Sequence, residues 1–421
     1  MKVVLAVNAH LSRRAAHGPG KVGYALAKSL FERGELGKVI CYSADQSVDL
    51  PREYFLEAMD TGLKRKLFGM LPRIGKVVAS FPARRLEERY FDRYASRNFD
   101  PSLGDTLVCT KPINPDLLEK AKRAGCRTAL ATSILHPRFN LDMVAGEQRR
   151  LGLSAASVYT DEKRVAHIER ALSMVDRIIT TNSFYAENYQ RYGVAADKFI
   201  YPEQQRPHEG VDSVRFCPAQ NGIKQPGFRI LHVSNMTLIK GVQYLIEAWK
   251  HIQDEVQGEL VLFGPQDANV RSLIKNSRVR GIRYAGAGNP IDEYRQASVF
   301  VSPSVSDAGP NTVFEAMACG VPAIVSDHCG ISRFITSGKN GFVYRYDDVE
   351  GLASLILACY RDREKLAHMA NEALLTARCY PLDDFTEEFL DLLDAAFHGQ
   401  PEARTGGDIP IHDSGMGRHD S

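Results

Sequence analysis

The sequence predicts an α/β protein made of two doubly wound, Rossmann-like domains facing each other across a central cleft. Three observations predict it. The chain has 421 residues, too many for one ordinary hydrophobic core. Its apolar runs are short and continuous, as in "KVVLAV" (2–7) and "FRILHVS" (228–234), the pattern of strands buried on both faces. Between them lie segments with helical apolar spacing, so strand and helix alternate through both halves.

In the first half, "VGYALAKSLFERG" (22–34) follows the first strand and stops on a glycine, as helices do. "KVICYS", "TLVCT", "RTALATS" and "RIITTN" read as strands, "NPDLLEKAKRAG" and "DEKRVAHIERALSMV" as helices. In the second half, "GVQYLIEAWKHIQ", "ANVRSLIKNS" and "PIDEYRQA" are helices set between the strands "ELVLFG", "GIRYAG" and "VFVSP". "PAIVSD" is one more strand, and helices follow over 349–374. The polar, proline-rich stretch at 202–218 reads as the linker. The expected units are 1–205, 206–380, a C-terminal helix at 381–398 packing back on the first unit, and a disordered tail at 399–421.

Composition narrows the function. A net charge of +2 implies no general attraction to nucleic acid. Eight scattered cysteines without a Cys-x-x-Cys pair fit reduced thiols in the cytoplasm better than disulfides or a zinc site. The N-terminal apolar run reads as a strand and not a signal peptide, and no stretch is long enough to span a membrane. One window is unusual. Residues 63–97 hold ten Lys/Arg against three acidic residues, interleaved with Leu63, Leu67, Leu71, Leu86, Tyr90 and Tyr94. Such a basic amphipathic stretch reads either as an inner-membrane surface contact or as two solvated helices. Gly69 and Pro72 are expected to prevent one regular helix there.

In such folds ligands bind beyond the carboxyl ends of strands. The segment with most chemistry in that position is "SDAGPNTVFEAMACGVPAIVSD" (306–327). Asn311 is expected to cap a two-turn helix that Gly320 ends. The first N–H groups, at Asn311, Thr312 and Val313, would offer donors and partial positive charge to a phosphate. Glu315 and Asp307 would accept hydroxyls on either side. Carboxylate, phosphate cradle and carboxylate suit a sugar joined to a nucleotide through a diphosphate. The bland alternative is that both acids only cap helices and solvate a surface.

This stretch resembles the signature of family 4 of the retaining glycosyltransferases, which have the GT-B fold and a Glu, seven residues, Glu pattern; here Asp307 replaces the first glutamate. The likeness extends through "SNMTLIKGVQYLIEAW", "GIRYAGAGNPIDEYRQASVFVSPS" and "CGISRFITSGKNGFVYRYDDVEGLA", and more loosely to "GPGKVGYALAKSL". The resemblance implies that Glu315 holds the nucleotide ribose, that Asp307 stands where a glutamate contacts the donor sugar, and that Lys240 neutralises the diphosphate. It places Asn235 where the family has an arginine, so half of a clamp is missing, with Lys21 or Arg333 as candidate substitutes. His136 matches a histidine near the catalytic centre, and Gly264 a loop beneath the nucleotide. The literal G-x-G-x-x-G of Gly18, Gly20 and Gly23 lies ten residues past the strand, too far for a dinucleotide fingerprint. The resemblance instead brings Gly20 to the donor phosphate.

The implied reaction is transfer from a nucleotide-diphosphate sugar to an acceptor hydroxyl of a glycan or lipid-linked molecule, with retention. Lys240, Asp307 and His136 stand at the reacting centre, with no metal and no cofactor beyond the donor substrate. A cytoplasmic enzyme of cell-surface polysaccharide or glycolipid synthesis is implied, with a non-catalytic sugar-nucleotide-binding or glycan-binding subunit as the alternative.

Overall fold

In a computed structural model the chain forms two parallel sheets, each covered by helices on both faces. The structure describes residues 1–13, 18–77, 82–153, 157–207, 210–219, 227–381, 384–398 and 403–405, without the side chains at 68–69, 72–77 and 403–405. The first unit contains strands β1 (Val3–Leu11), β2 (Leu36–Ala44), β3 (Phe55–Glu57), β4 (Thr106–Cys109), β5 (Arg127–Ala131), β6 (Arg177–Ile179) and β7 (Phe199–Pro202). Its helices are α1 (Pro19–Glu32), α2 (Gly62–Val77), α3 (Ala83–Asn98), α4 (Pro115–Arg123), α5 (Pro137–Arg150), α6 (Glu162–Met174) and α7 (Ser183–Gln190).

The second unit contains β8 (Phe228–Val233), β9 (Gly258–Phe263), β10 (Ile282–Tyr284), β11 (Val299–Ser302), β12 (Ala323–Ser326) and β13 (Gly341–Tyr344). Its helices are α8 (Val242–Ile252), α9 (Ala268–Asn276), α10 (Ile291–Gln296), α11 (Asn311–Ala318), α12 (Val349–Arg361) and α13 (Arg363–Arg378). A last helix, α14 (Asp384–His398), and a short strand, β14 (Ala403–Thr405), follow.

The sheet orders are β14-β7-β6-β5-β4-β1-β2-β3 and β10-β9-β8-β11-β12-β13. In both, the chain winds outward from the first strand in two directions, which is the doubly wound arrangement and leaves a crevice at the reversal. Covering both faces explains the continuous apolar strands: Val3, Leu5 and Val7 of β1 face α1 and α14, whereas Val4 and Ala6 face the helices on the other side. Phe389, Leu390 and Leu393 of α14 bury themselves against this first sheet. Arg206 ties the two chain crossings together, donating to Glu388 at 2.7 Å and to the Pro381 carbonyl at 2.8 Å.

Three local expectations are corrected. Helix α2 runs through Gly69 and Pro72 without a break. Proline removes one N–H···O bond, and the remaining bonds of a 16-residue helix carry it across that gap. The expected linker extends too far, because Val211 and Phe216 are buried in the second unit's core. Within the tail expected to be disordered, β14 pairs antiparallel with β7, extending the sheet at its edge. The tail residues 399–402 and 406–421 lie outside the described residues, as do the side chains of Arg73 and Lys76 in the basic window.

The two units meet through α5 and α7. Leu135, Phe139, Phe184, Tyr185 and Ala308 form one apolar cluster across the interface. The buried Glu147 carboxylate accepts from Gln243 Nε2 at 3.0 Å, from the Tyr244 hydroxyl and from Arg150 at 3.1 Å. Arg333 donates to Ser183 at 3.2 Å and pairs with Glu187. These bridges hold the two crevices face to face.

Candidate active site

The strand ends of the second sheet gather most of the predicted residues. Lys240 closes a short 3-10 turn after β8 and Asp307 lies in the loop after β11, the strand beside β8. Their side chains form an ion pair, Nζ to Oδ2 2.6 Å. Burial opposes charge on Lys240, but Asp307 outweighs it and holds the ammonium above its ordinary pKa. The Asp307 backbone is pinned on both sides: its N–H donates to the His328 carbonyl at 3.1 Å, and its carbonyl accepts from Gly330 at 2.9 Å. Ser304 Oγ adds a bond to Oδ2 at 3.3 Å.

Glycines set this geometry. Gly241, directly after Lys240, has φ +70°, and a Cβ there would lie 1.7 Å from the Pro303 carbonyl oxygen. Only glycine lets the lysine turn dock against the β11 loop. Gly264 (φ +119°) plays the same part at the end of β9, where a Cβ would meet the Ser234 carbonyl oxygen at 2.0 Å. Gly20 allows α1 to approach β1, since its Cβ would fall 2.1 Å from the His10 carbonyl oxygen. That packing accounts for Gly20; the segment 14–17 before it lies outside the described residues.

Several predicted roles change. Pro310 and not Asn311 occupies the N-cap of α11, because the Gly309–Pro310 turn already brings the chain to helical entry. Asn311 therefore sits in the first turn. Val313 donates its N–H to the Pro310 carbonyl at 3.1 Å and its side chain is buried, so it offers no open donor. Thr312 is partly exposed at the same helix start. Glu315 is 4% exposed and accepts from the Tyr294 hydroxyl at 2.8 Å. Arg333, a candidate stand-in for the missing arginine, donates to Ser183 and pairs with Glu187 across the interface. Asn235 is exposed on the loop after β8.

His136 lies across the interface at the N-cap of α5, where its Nδ1 accepts from the Arg138 N–H at 3.2 Å. The ring stacks on Tyr192 at 4.7 Å, and burial lowers its pKa to about 4. It is neutral at physiological pH. Tyr294 and Gly241 were missed by the sequence reading. Glycine after a predicted site lysine was a usable signal for the second; nothing in the sequence links Tyr294 to Glu315, 21 residues away. Among the described residues no group of three His, Cys, Asp or Glu is placed to hold a metal ion, and no helix is long and apolar enough to cross a membrane.

Two doubly wound parallel sheets packed against each other are the GT-B arrangement. Solved structures agree. Sucrose-phosphate synthase from Thermosynechococcus elongatus aligns with a TM-score of 0.66 at 17% identity, over 95% of this chain and all of the other. The Anabaena protein HepE, in a complex with UDP-glucose, aligns at 0.62 and 14%, over 94% of this chain and all of the other. Residues 227–362, most of the second unit, match the family described as Glycosyl transferases group 1. Among curated relatives, the putative colanic acid biosynthesis glycosyltransferase WcaL of Escherichia coli K12 is 24% identical over 225 residues, 48% of this chain and 54% of the relative. The N-acetyl-alpha-D-glucosaminyl L-malate synthase of Bacillus anthracis is 28% identical over 156 residues, 36% of this chain and 41% of the relative. The chain thus spans about half the length of the curated relatives it matches.

Proposed function

We propose that the protein is a glycosyltransferase that moves a sugar from a nucleotide-diphosphate donor to an acceptor hydroxyl, with retention and without a metal, in the synthesis of a polysaccharide or glycolipid. The observation that carries this reading is the Lys240–Asp307 pair beside the start of α11 in the interdomain cleft. The names of the relatives, WcaL among them, supply the reaction class.

In this reading the donor diphosphate takes the place of Asp307 on Lys240. The ammonium then faces the charge that grows on the departing diphosphate, where it lowers the barrier most. The Asp307 carboxylate is released to accept a hydroxyl of the donor sugar, its shorter side chain reaching directly or through a water. Glu315, held by Tyr294, turns its remaining capacity to the ribose. His136 positions the start of α5 at the cleft. The interface around Phe139 and Phe184 excludes water, which limits donor hydrolysis.

Thermal stabilisation by UDP, GDP, ADP and their sugar conjugates, with magnesium and with EDTA, tests the site, since a ligand of the folded state raises the midpoint. A shift with one nucleoside diphosphate in both buffers is the expected result. No shift with any would sink the assignment. The anomeric configuration of the product tests retention, and slow donor hydrolysis separates a transferase from a binding subunit.

Membrane contact is part of the proposal. Leu63, Leu67 and Met70 are exposed at 69%, 50% and 43% and fall at i, i+4 and i+7 on α2, beside Lys64, Arg65 and Lys66. An apolar stripe flanked by cations suits a helix lying in an anionic membrane surface. Co-sedimentation with vesicles containing anionic lipid should fall when these three apolar residues are changed to Ser; unchanged sedimentation would remove the contact.

A further inference from the structure

Helix α5 of the first unit reaches the loop that carries Asp307. Asn140, near the start of that helix, faces Ser306 across the interface, and the Ser306 hydroxyl donates to Asn140 Oδ1 at 2.5 Å. The amide's orientation follows from its other partner. Asn140 Nδ2 donates to the Leu135 carbonyl at 3.3 Å, and a carbonyl can only accept, so the amide oxygen is the atom turned to Ser306. Ser306 is 3% exposed, so this polar contact is made away from water, where a hydrogen bond is stronger.

Ser306 is joined to both members of the ion pair. It directly precedes Asp307 in the chain. Its N–H and that of Val305 both donate to the Ile239 carbonyl, at 3.3 and 2.9 Å, and Lys240 is the residue after Ile239. The β11 loop and the lysine turn therefore share one anchor. A second contact from the same helix acts on the other flank of the loop. The Phe139 ring packs edge-on against His328, with centroids 5.6 Å apart. His328 accepts the Asp307 N–H on its carbonyl at 3.1 Å, and its Nδ1 donates to the Val305 carbonyl at 2.9 Å. Two consecutive residues of α5 thus bracket the Asp307 loop, one by a hydrogen bond at Ser306 and one by ring packing at His328. Adhesion of the units does not require the Asn140 bond, since the apolar cluster around Phe139 and Phe184 and the Glu147 bridge already join them.

We propose that Asn140 is a positioning residue for transfer: through Ser306 it fixes the Asp307 carboxylate and the Lys240 turn against each other, so that the pair takes its reacting geometry only while α5 is docked. This rests on the glycosyltransferase reading. Chemistry in the second unit then depends on contact with the first. A small displacement of the Asp307 loop is enough to slow a reaction that needs aligned groups.

The test uses the full chain with Asn140→Ala, Ser306→Ala, the double variant and Ser306→Thr. Hydrogen exchange of the backbone amides at 304–309 reads the clasp without any substrate. Asn140→Ala is expected to speed it about fivefold or more, with exchange in α12 and α13 unchanged. Release of nucleoside diphosphate from UDP-glucose, GDP-mannose and ADP-glucose, with water as acceptor, reads the chemistry. Asn140→Ala should lower kcat about tenfold, the scale of one hydrogen bond, and leave the Kd of UDP, GDP or ADP within about twofold. The double variant should be no slower than Asn140→Ala, because both changes break one link, and Ser306→Thr, which keeps the hydroxyl, should stay near the native kcat. Unchanged exchange at 304–309 in Asn140→Ala would overturn the clasp. Faster exchange with a native kcat would overturn the positioning role and leave the glycosyltransferase reading standing. A native chain that binds none of the three nucleoside diphosphates and releases none from their conjugates would overturn that reading and the role of Asn140 with it.

Discussion

The Lys240 ammonium lies 2.6 Å from the Asp307 carboxylate, and the two residues extend from neighbouring strands of one parallel sheet. The pair neutralises, in the free protein, a cation aimed at the cleft. In the proposed reading a donor diphosphate must displace that carboxylate to reach the ammonium.

Lys240→Ala should lower the rate of transfer about a hundredfold, roughly 3 kcal/mol of lost charge stabilisation, with the fold preserved. Asp307→Asn should strengthen binding of the nucleoside diphosphate alone while slowing transfer. Asp307→Glu should retain activity if the contact tolerates one more methylene. Steady-state kinetics with calorimetric titration of the nucleoside diphosphate check all three; a Lys240→Ala enzyme of normal rate would remove the diphosphate role.

Gly241→Ala should damage the site more than its distance from any ligand suggests. The added methyl meets a backbone carbonyl oxygen at 1.7 Å, and the residue is left-handed at φ +70°. The turn must shift, and Lys240 with it. Loss of nucleoside diphosphate binding together with a lower melting midpoint is expected; unaltered binding would show that the β11 loop absorbs the change.

Stability should decline as the pH falls from about 6.5 toward 4. Burial lowers the pKa of His136 to about 4 from 6.5, so in this window the unfolded chain takes up a proton that the folded one refuses. The stabilising contribution is complete above 6.5 and is lost on acidification, to about 3 kcal/mol for the one histidine. Burial lowers His232 to about 4 as well, adding to the same slope. Urea denaturation across this range should show a shallower dependence for His136→Asn, which keeps a capping side chain.

Glu147→Ala should loosen the cleft. The residue is buried and accepts from Gln243 and Tyr244 of the opposite unit. Removing a buried, hydrogen-bonded charge costs about 3 kcal/mol or more, here charged mainly to the interface. A larger radius of gyration by small-angle scattering, with faster donor hydrolysis relative to transfer, is expected; an unchanged radius would place closure in the Phe139–Phe184 contact instead.

By itself the sequence determined the alternation of strand and helix, the placing of 306–327 after a strand, and the pairing of Lys240 with that segment through a resemblance. These are readable because buried parallel strands are continuously apolar and because glycine and proline punctuate helices locally. Only the tertiary structure decided that Lys240 rests on Asp307, that Tyr294 holds Glu315, that Arg333 spends its charge on Glu187, and that Val313 has no open N–H. It also decided that α2 continues through Pro72. The physical reason is range. Periodicity and turn chemistry act over a few residues, whereas these contacts join positions up to 146 residues apart, and their energies depend on which neighbour burial brings within hydrogen-bond reach.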